Sequence, residues 1–343
     1  MSKVTIVIPV YNVEEYIAKC LDSLKKQADG SFEVLIVNDG SPKNEQAIID
    51  RYVKEDPELF HSVIKENGGY GSVLELAVKS ITTEYLLVCD PDDYLADNAV
   101  KILLKLAEEN QCDIAIGAKT LIYADSDDQD YDPAFNPSVV MLEDGKVFSK
   151  EEKDFEKLYF VDPSPHAKLY KVELLKETEF PHKVSFTDNI LYFTALNNAK
   201  RVVYTRTQLA YYLINRAGNT MTDVKPRAID AEITVLRSLI SQGRMQKAPD
   251  IFYYRMFEAY KFIVNDKINR CNGSKEEIRQ RLLALYPVVD ALLFKSDAIK
   301  RYYRKYASYR MVERTRDSLL LTRATSKKTY LSFVEKKLKE LNR

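Results

Sequence analysis

The run VTIVIPV, Val4 to Val10, is β-branched and apolar at almost every position, the pattern of a strand covered on both faces. Helical spacing follows in EEYIAKCLDSLKKQ, with apolar residues at Tyr16, Ile17, Cys20, Leu21 and Leu24. The alternation then repeats. FEVLIVNDGS, HSVIKENGG and EYLLVCDPDD read as further strands, separated by the helices of NEQAIIDRYVKED and GSVLELAVKSI. Strand–helix repeats with connections of a few residues predict an α/β fold: a mostly parallel sheet with helices on both faces and right-handed crossovers. Ligands of such open sheets bind beyond the carboxyl ends of the strands. Tyr11, Asn12, Asn38, Asp39, Asn67 and Asp90 all fall at those ends.

After the helix of DNAVKILLKLAEENQ and the strand DIAIGAKTLIY, the acidic stretch ADSDDQDYDPAFNPS reads as a surface loop. The α/β pattern continues to about Thr222, and beyond Pro226 only helical patterns remain. The expected division is a domain over 1–224 and a helical region over 225–343. TYLSFVEKKLKELNR places Leu331, Val334, Leu338 and Leu341 on one stripe, as in a packed bundle. No apolar run reaches membrane-spanning length, and MSKVTIVIPV lacks the shape of a signal peptide. The four cysteines are scattered without ligand spacing and read as reduced thiols, so the expected location is cytoplasmic.

The net charge of zero hides an asymmetry: from Lys300 to Arg343 there are 14 Lys or Arg against 4 Asp or Glu. A basic end on an acidic body points to an anionic neighbour, such as the inner face of a membrane or a polyanionic polymer, or equally to a solvated helical end. That end is also a candidate homo-oligomer contact. It carries no nucleic-acid-binding motif.

Three stretches hold groups suited to chemistry. Asp90-Pro91-Asp92-Asp93 packs three carboxylates at the end of a buried strand, where a divalent cation would offset their repulsion; a helix-capping turn is the plainer reading. Asp39 can accept from an N–H of a nucleobase, or serve as a turn residue before Gly40. ENGGYGS, Glu66 to Ser72, offers backbone N–H groups at a helix N-terminus as a phosphate cradle, although it is neither GxGxxG nor a Walker loop. Each is weak alone. Together they line one edge of one sheet.

In this order VTIVIPVYNVEEYIAKCLDSLKKQ, FEVLIVNDGS, KENGG, VCDPDDYL, HAKLYKVELLKETEFP and VSFTDNILYFTAL resemble the family 2 glycosyltransferases, over roughly residues 1 to 222. The resemblance implies a GT-A fold and inverting transfer from a nucleotide-sugar, UDP-linked by preference, with Mn2+ or Mg2+ on the diphosphate. It puts Pro9, Tyr11 and Asn12 on one side of the nucleotide pocket and Asp39 on the base. Asn67, Gly68 and Gly69 lie beside the phosphates, with Ser72 in the same GGxGS loop. Asp90, Pro91 and Asp92 match the family's D-x-D, Asp92 on the metal and Asp90 shared between ribose and metal. Asp188 matches the general base. Asp93, His166, Lys168 and Arg216 fall where the family has acceptor or lid contacts, with Arg216 to Thr222 closing over the donor. The implied acceptor is a hydroxyl of a cell-surface polysaccharide, teichoic acid, lipid-linked glycan or glycoprotein.

Two departures keep a second reading open. Thr187 stands where the family usually has Glu before the base, and Val73-Leu74-Glu75 replaces a common Ala-Arg-Asn. A degenerate domain that binds a nucleotide or partner without turnover would tolerate both.

Overall fold

The computed structural model describes residues 2–215, 226–306 and 327–341. The chain divides into two compact units, Met1–Lys183 with Thr187–Asn219, and Val184–Phe186 with Thr220–Arg343.

The first unit is built on one sheet. Its strands are β1 (Val4–Val10), β2 (Phe32–Asn38), β3 (Phe60–Ile64), β4 (Tyr85–Val88), β5 (Tyr94–Leu95), β6 (Ile114–Tyr123), β7 (Gln129–Asp132), β8 (Val147–Ser149), β9 (Lys168–Lys171) and β10 (Arg201–Ile214). They lie in the order β3-β2-β1-β4-β9-β6-β10-β5, with β7 on β6 and β8 on β10. The first four are mutually parallel, and all seven residues of β1 are buried. Helix α1 (Ile17–Lys26) covers this half with Ile17, Cys20, Leu21 and Leu24, the residues that its spacing predicts. Helices α2 (Glu45–Glu55), α3 (Tyr70–Ser80), α4 (Ala99–Glu109) and α5 (Asp188–Asn198) complete the layers.

The sheet is mixed: β9 runs antiparallel between β4 and β6, and β5, β7 and β8 are antiparallel to the strands they pair with. Its register pairs Tyr85 with Lys171 and Leu87 with Leu169. Continued past Val88, the same register brings His166 opposite Asp90. A neighbour from far along the chain thereby reaches the carboxylate turn.

The stretch expected to be a surface loop is partly strand, since β7 pairs antiparallel with β6. Polar side chains hold it there: Tyr123 Oη donates to Asp130 Oδ2 at 2.5 Å, and Asp132 lies 3.5 Å from the buried Lys119 ammonium.

The second unit is helical: α6 (Pro226–Met245), α7 (Asp250–Phe262), one π-helical turn over Ile263–Lys267, α8 (Ile268–Arg270), α9 (Lys275–Ala284), α10 (Tyr286–Leu293), α11 (Ser296–Tyr306) and α12 (Lys327–Leu341). Ser274 and Glu277 close a reciprocal capping box at the start of α9. The buried stripe of α12 is Tyr330, Val334 and Leu338, while Leu331 is exposed. Its face is turned from the expected one because Tyr330 buries a larger ring against Tyr286 and donates its hydroxyl to Leu282 O at 2.6 Å. No helix among the described residues is long and apolar enough to cross a membrane.

Candidate active site

Asp39 follows β2 directly, and its side chain is only 4% exposed. Buried carboxylates need donors, and this one has three. Oδ1 accepts from Lys65 Nζ at 2.5 Å and from the Gly68 N–H at 2.9 Å; Oδ2 accepts from the Gly69 N–H at 2.7 Å. Asn67 Nδ2 donates to the Asp39 carbonyl at 3.0 Å, and Ser72 Oγ donates to Gly69 O at 2.7 Å. The expected phosphate cradle is therefore corrected: the amides of Gly68 and Gly69 turn inward and are satisfied by Asp39.

At the end of β4, Asp90 and Asp92 are half-buried and Asp93 is buried. Burial, with Asp92 and Asp93 beside it, pushes the Asp90 carboxyl well above the usual carboxylate range, although Tyr70 Oη donates to Asp90 Oδ1 at 2.7 Å. Asp93 Oδ2 lies 2.6 Å from His166 Nε2, and Asp93 Oδ1 accepts from the Leu213 N–H at 2.7 Å. Burial and the nearby ammonium groups of Lys119 and Lys168 push His166 down to about 3, so its imidazole is neutral. With Nε2 donating to Asp93, Nδ1 keeps a lone pair and has no hydrogen-bond partner among the described residues. Asp90, Asp93 and His166 each offer a ligand atom, all within 4.8 Å of one another. Two carboxylates and an imidazole whose Nδ1 is unmet fit a divalent cation.

Asp188 opens α5, and the packing of Gly71 sets its approach. A Cβ at Gly71 would stand 2.3 Å from Pro181 O and 3.1 Å from Thr187 Cγ2. Only glycine allows the segment before Asp188 to lie so close to α3. Burial, with Asp162 second, pushes the Asp188 carboxyl up to about 6; the N–H groups of Asn189 oppose the shift. Asp188 raises the Asp90 carboxyl, and burial with both carboxylates pushes the Tyr70 phenol well above its ordinary value. A carboxyl that titrates near 6 is suited to proton abstraction at neutral pH.

The family profile "Glycosyl transferase family 2" matches residues 5–178, just over half of the chain. The chain belongs to this family. A poly(ribitol-phosphate) beta-glucosyltransferase of Bacillus spizizenii is 31% identical over 270 residues, covering 75% of this chain and 40% of the relative. An uncharacterized glycosyltransferase of Mycoplasma genitalium, MG025, is 31% identical over 245 residues, 70% of this chain and 78% of the relative. Among solved structures, Staphylococcus aureus TarS 1–349 in complex with UDP-GlcNAc superposes with a TM-score of 0.69 at 20% identity, over 98% of this chain and 92% of that one. The fold is thus the GT-A sheet followed by a helical region. The chain spans less than half the length of some curated relatives that it matches.

Of the remaining residues that the family resemblance singles out, Pro9 and Pro91 are buried, and Tyr11 is half-exposed at the end of β1. Asn12 is exposed in a left-handed conformation, its N–H donating to Ser41 Oγ at 2.9 Å. Three of the residues expected at acceptor or lid positions are buried. Asp93 and His166 are buried against each other, and Lys168 is fully buried with its ammonium on Ser164 O at 2.6 Å. Burial, then repulsion from Lys119, brings Lys168 down to about 7. Arg216 lies outside the described residues. Sequence reasoning missed Lys65, Tyr70 and Asp162: Lys65 and Tyr70 flank the glycines of ENGGYGS, and Asp162 sits in a segment with no motif of its own.

Proposed function

We propose that this chain transfers a sugar from a UDP-linked donor to a hydroxyl of a phosphodiester polymer of the poly(ribitol phosphate) kind, with inversion at the anomeric carbon. The observation that carries the reading is the cluster of Asp90, Asp93 and His166 at the strand end, whose ligand atoms all lie within 4.8 Å of one another, with Asp188 near enough to raise the Asp90 carboxyl. Asp188 takes the proton of the acceptor hydroxyl as its oxygen attacks the anomeric carbon and the UDP oxygen leaves. General-base help of this kind is worth roughly a hundred- to ten-thousand-fold in rate. Asp90, with Asp93, His166 and the neighbouring Asp92, would hold Mn2+ or Mg2+, which offsets the charge of the leaving diphosphate. We assign Tyr11, whose ring is exposed at the end of β1, to the nucleotide side of the site.

The relatives' names support the donor and the polymer class. The basic Lys300–Arg343 stretch suits an anionic acceptor or an anionic membrane face. The test is UDP release from UDP-glucose and UDP-GlcNAc, with and without Mn2+ and poly(ribitol phosphate). Polymer-dependent release, lost in Asp188→Asn, is the expected result. Thr187 favours the second reading, a binding domain without turnover: its hydroxyl is buried, without a hydrogen-bond partner among the described residues, where the family usually places Glu. UDP binding with no release from any donor would select that reading.

A further inference from the structure

We propose that Lys65 determines nucleobase specificity by fixing Asp39 as an oriented acceptor for the imide N–H of uracil. The inference rests on the UDP-sugar reading above.

Lys65 is the first residue after β3, and its ammonium has three hydrogens. Three acceptors take them: Asp39 Oδ1 at 2.5 Å, Glu66 O at 2.7 Å and Ser72 Oγ at 2.8 Å. No hydrogen remains for a phosphate, so this lysine does not replace the arginine that the family commonly carries in the following helix. It acts on Asp39 instead. A Cβ at Gly68 would stand 2.5 Å from Ser72 Oγ and 3.0 Å from Lys65 Nζ, so the absent side chain is what lets the ammonium in.

A carboxylate offers about four lone-pair directions. Lys65 and the Gly68 amide take both of those on Oδ1, and the Gly69 amide takes one on Oδ2. Oδ2 thus keeps one acceptor direction among the described residues. The ammonium blocks rotation of the carboxylate, because a turned carboxylate would forfeit a charged hydrogen bond. An acceptor held in this orientation favours uracil, whose N3 carries hydrogen, over cytosine, whose N3 is itself an acceptor.

The experiment is calorimetric titration of UDP and CDP into the full chain as wild type, Lys65→Met and Lys65→Arg, with thermal melting to follow folding. The wild type should prefer UDP. Lys65→Met should bind UDP about tenfold or more weakly, as expected for a lost charged hydrogen bond, and its UDP-to-CDP ratio should fall toward one. Lys65→Arg, which keeps the cation, should retain most of the ratio. Should Lys65→Met fail to fold, Ser72→Ala removes only the hydroxyl that anchors the ammonium and should lower the ratio in part. An unchanged ratio in whichever of Lys65→Met and Ser72→Ala folds overturns the role of Lys65 while leaving UDP recognition intact. Wild type that binds neither nucleotide overturns the UDP-sugar reading and this inference with it.

Discussion

Tyr70 Oη donates to Asp90 Oδ1 at 2.7 Å, joining the first turn of α3 to the end of β4. The bond fixes the orientation of a carboxylate that its acidic neighbours would otherwise turn away. A hydrogen bond to a charged group contributes about 1.5–3 kcal/mol. Tyr70→Phe should therefore weaken Mn2+-dependent UDP binding by roughly ten- to a hundredfold, measured by calorimetry. UDP affinity equal to that of wild type would show that Asp90 keeps its orientation without the phenol.

Asp188 predicts an acid limb in the pH profile. Its carboxyl titrates at about 6, raised by burial and Asp162, and only the ionised form accepts a proton. The kcat/KM of transfer should rise with pH up to about 6 and level off above it. The same shift has a stability sign. A raised carboxyl pKa favours the fold below the unfolded value and costs stability as pH rises through 6. Asp188→Asn should abolish transfer while raising Tm at pH 8 and leaving it nearly unchanged at pH 4.

Gly71→Ala tests the approach of the segment that carries the base. Its new Cβ would meet Pro181 O at 2.3 Å, and backbone cannot yield as a flexible side chain can. The expected outcome is a loss of about 1–3 kcal/mol in stability together with a drop in kcat, because the clash pushes Thr187 and Asp188 off α3. A denaturant melt and steady-state kinetics measure the two effects. Full stability with full activity would mean that the segment moves freely.

Lys168 carries a lowered pKa of about 7, set first by burial and then by Lys119. In the unfolded chain it holds its proton to the usual lysine range, so between about pH 7 and 10 the unfolded state binds more protons and this group adds stability as pH rises. Below pH 7 the cost of the buried charge is present in full. Lys168→Met should therefore gain stability against wild type near pH 7, and the gain should shrink towards pH 10. Paired urea melts at the two pH values check the sign.

The strand ends were legible because β-branched runs and helical spacing are short-range signals, and Asp39, Asp90 and Asp188 all lie where one period gives way to another. Partners across the sheet left no such trace. His166 meets Asp93 only because β9 enters the sheet antiparallel and out of chain order, which no local pattern encodes. Lys65 and Tyr70 are hidden for a different reason: their roles depend on where the ammonium and the phenol end, several bonds from the backbone that the motif describes. In α12 the stripe of leucines competed with a tyrosine, and the tyrosine's hydrogen bond decided the face.

Asp93 reaches 73 residues along the chain to His166 and 120 to Leu213, whereas the donors to Asp39 all lie within 30 residues of it. Short closures form early, and domains emerge amino end first at roughly 5–20 residues per second. On the order of ten seconds of translation therefore separate a completed Asp39 wall from the strands that tie down Asp93. During that interval β4 presents an open, apolar edge, the edge that β9 later covers, and such edges recruit other chains. Slowing translation between β4 and β9 thus lengthens the time in which two nascent chains can pair wrongly, a cost of inserting the antiparallel strand late.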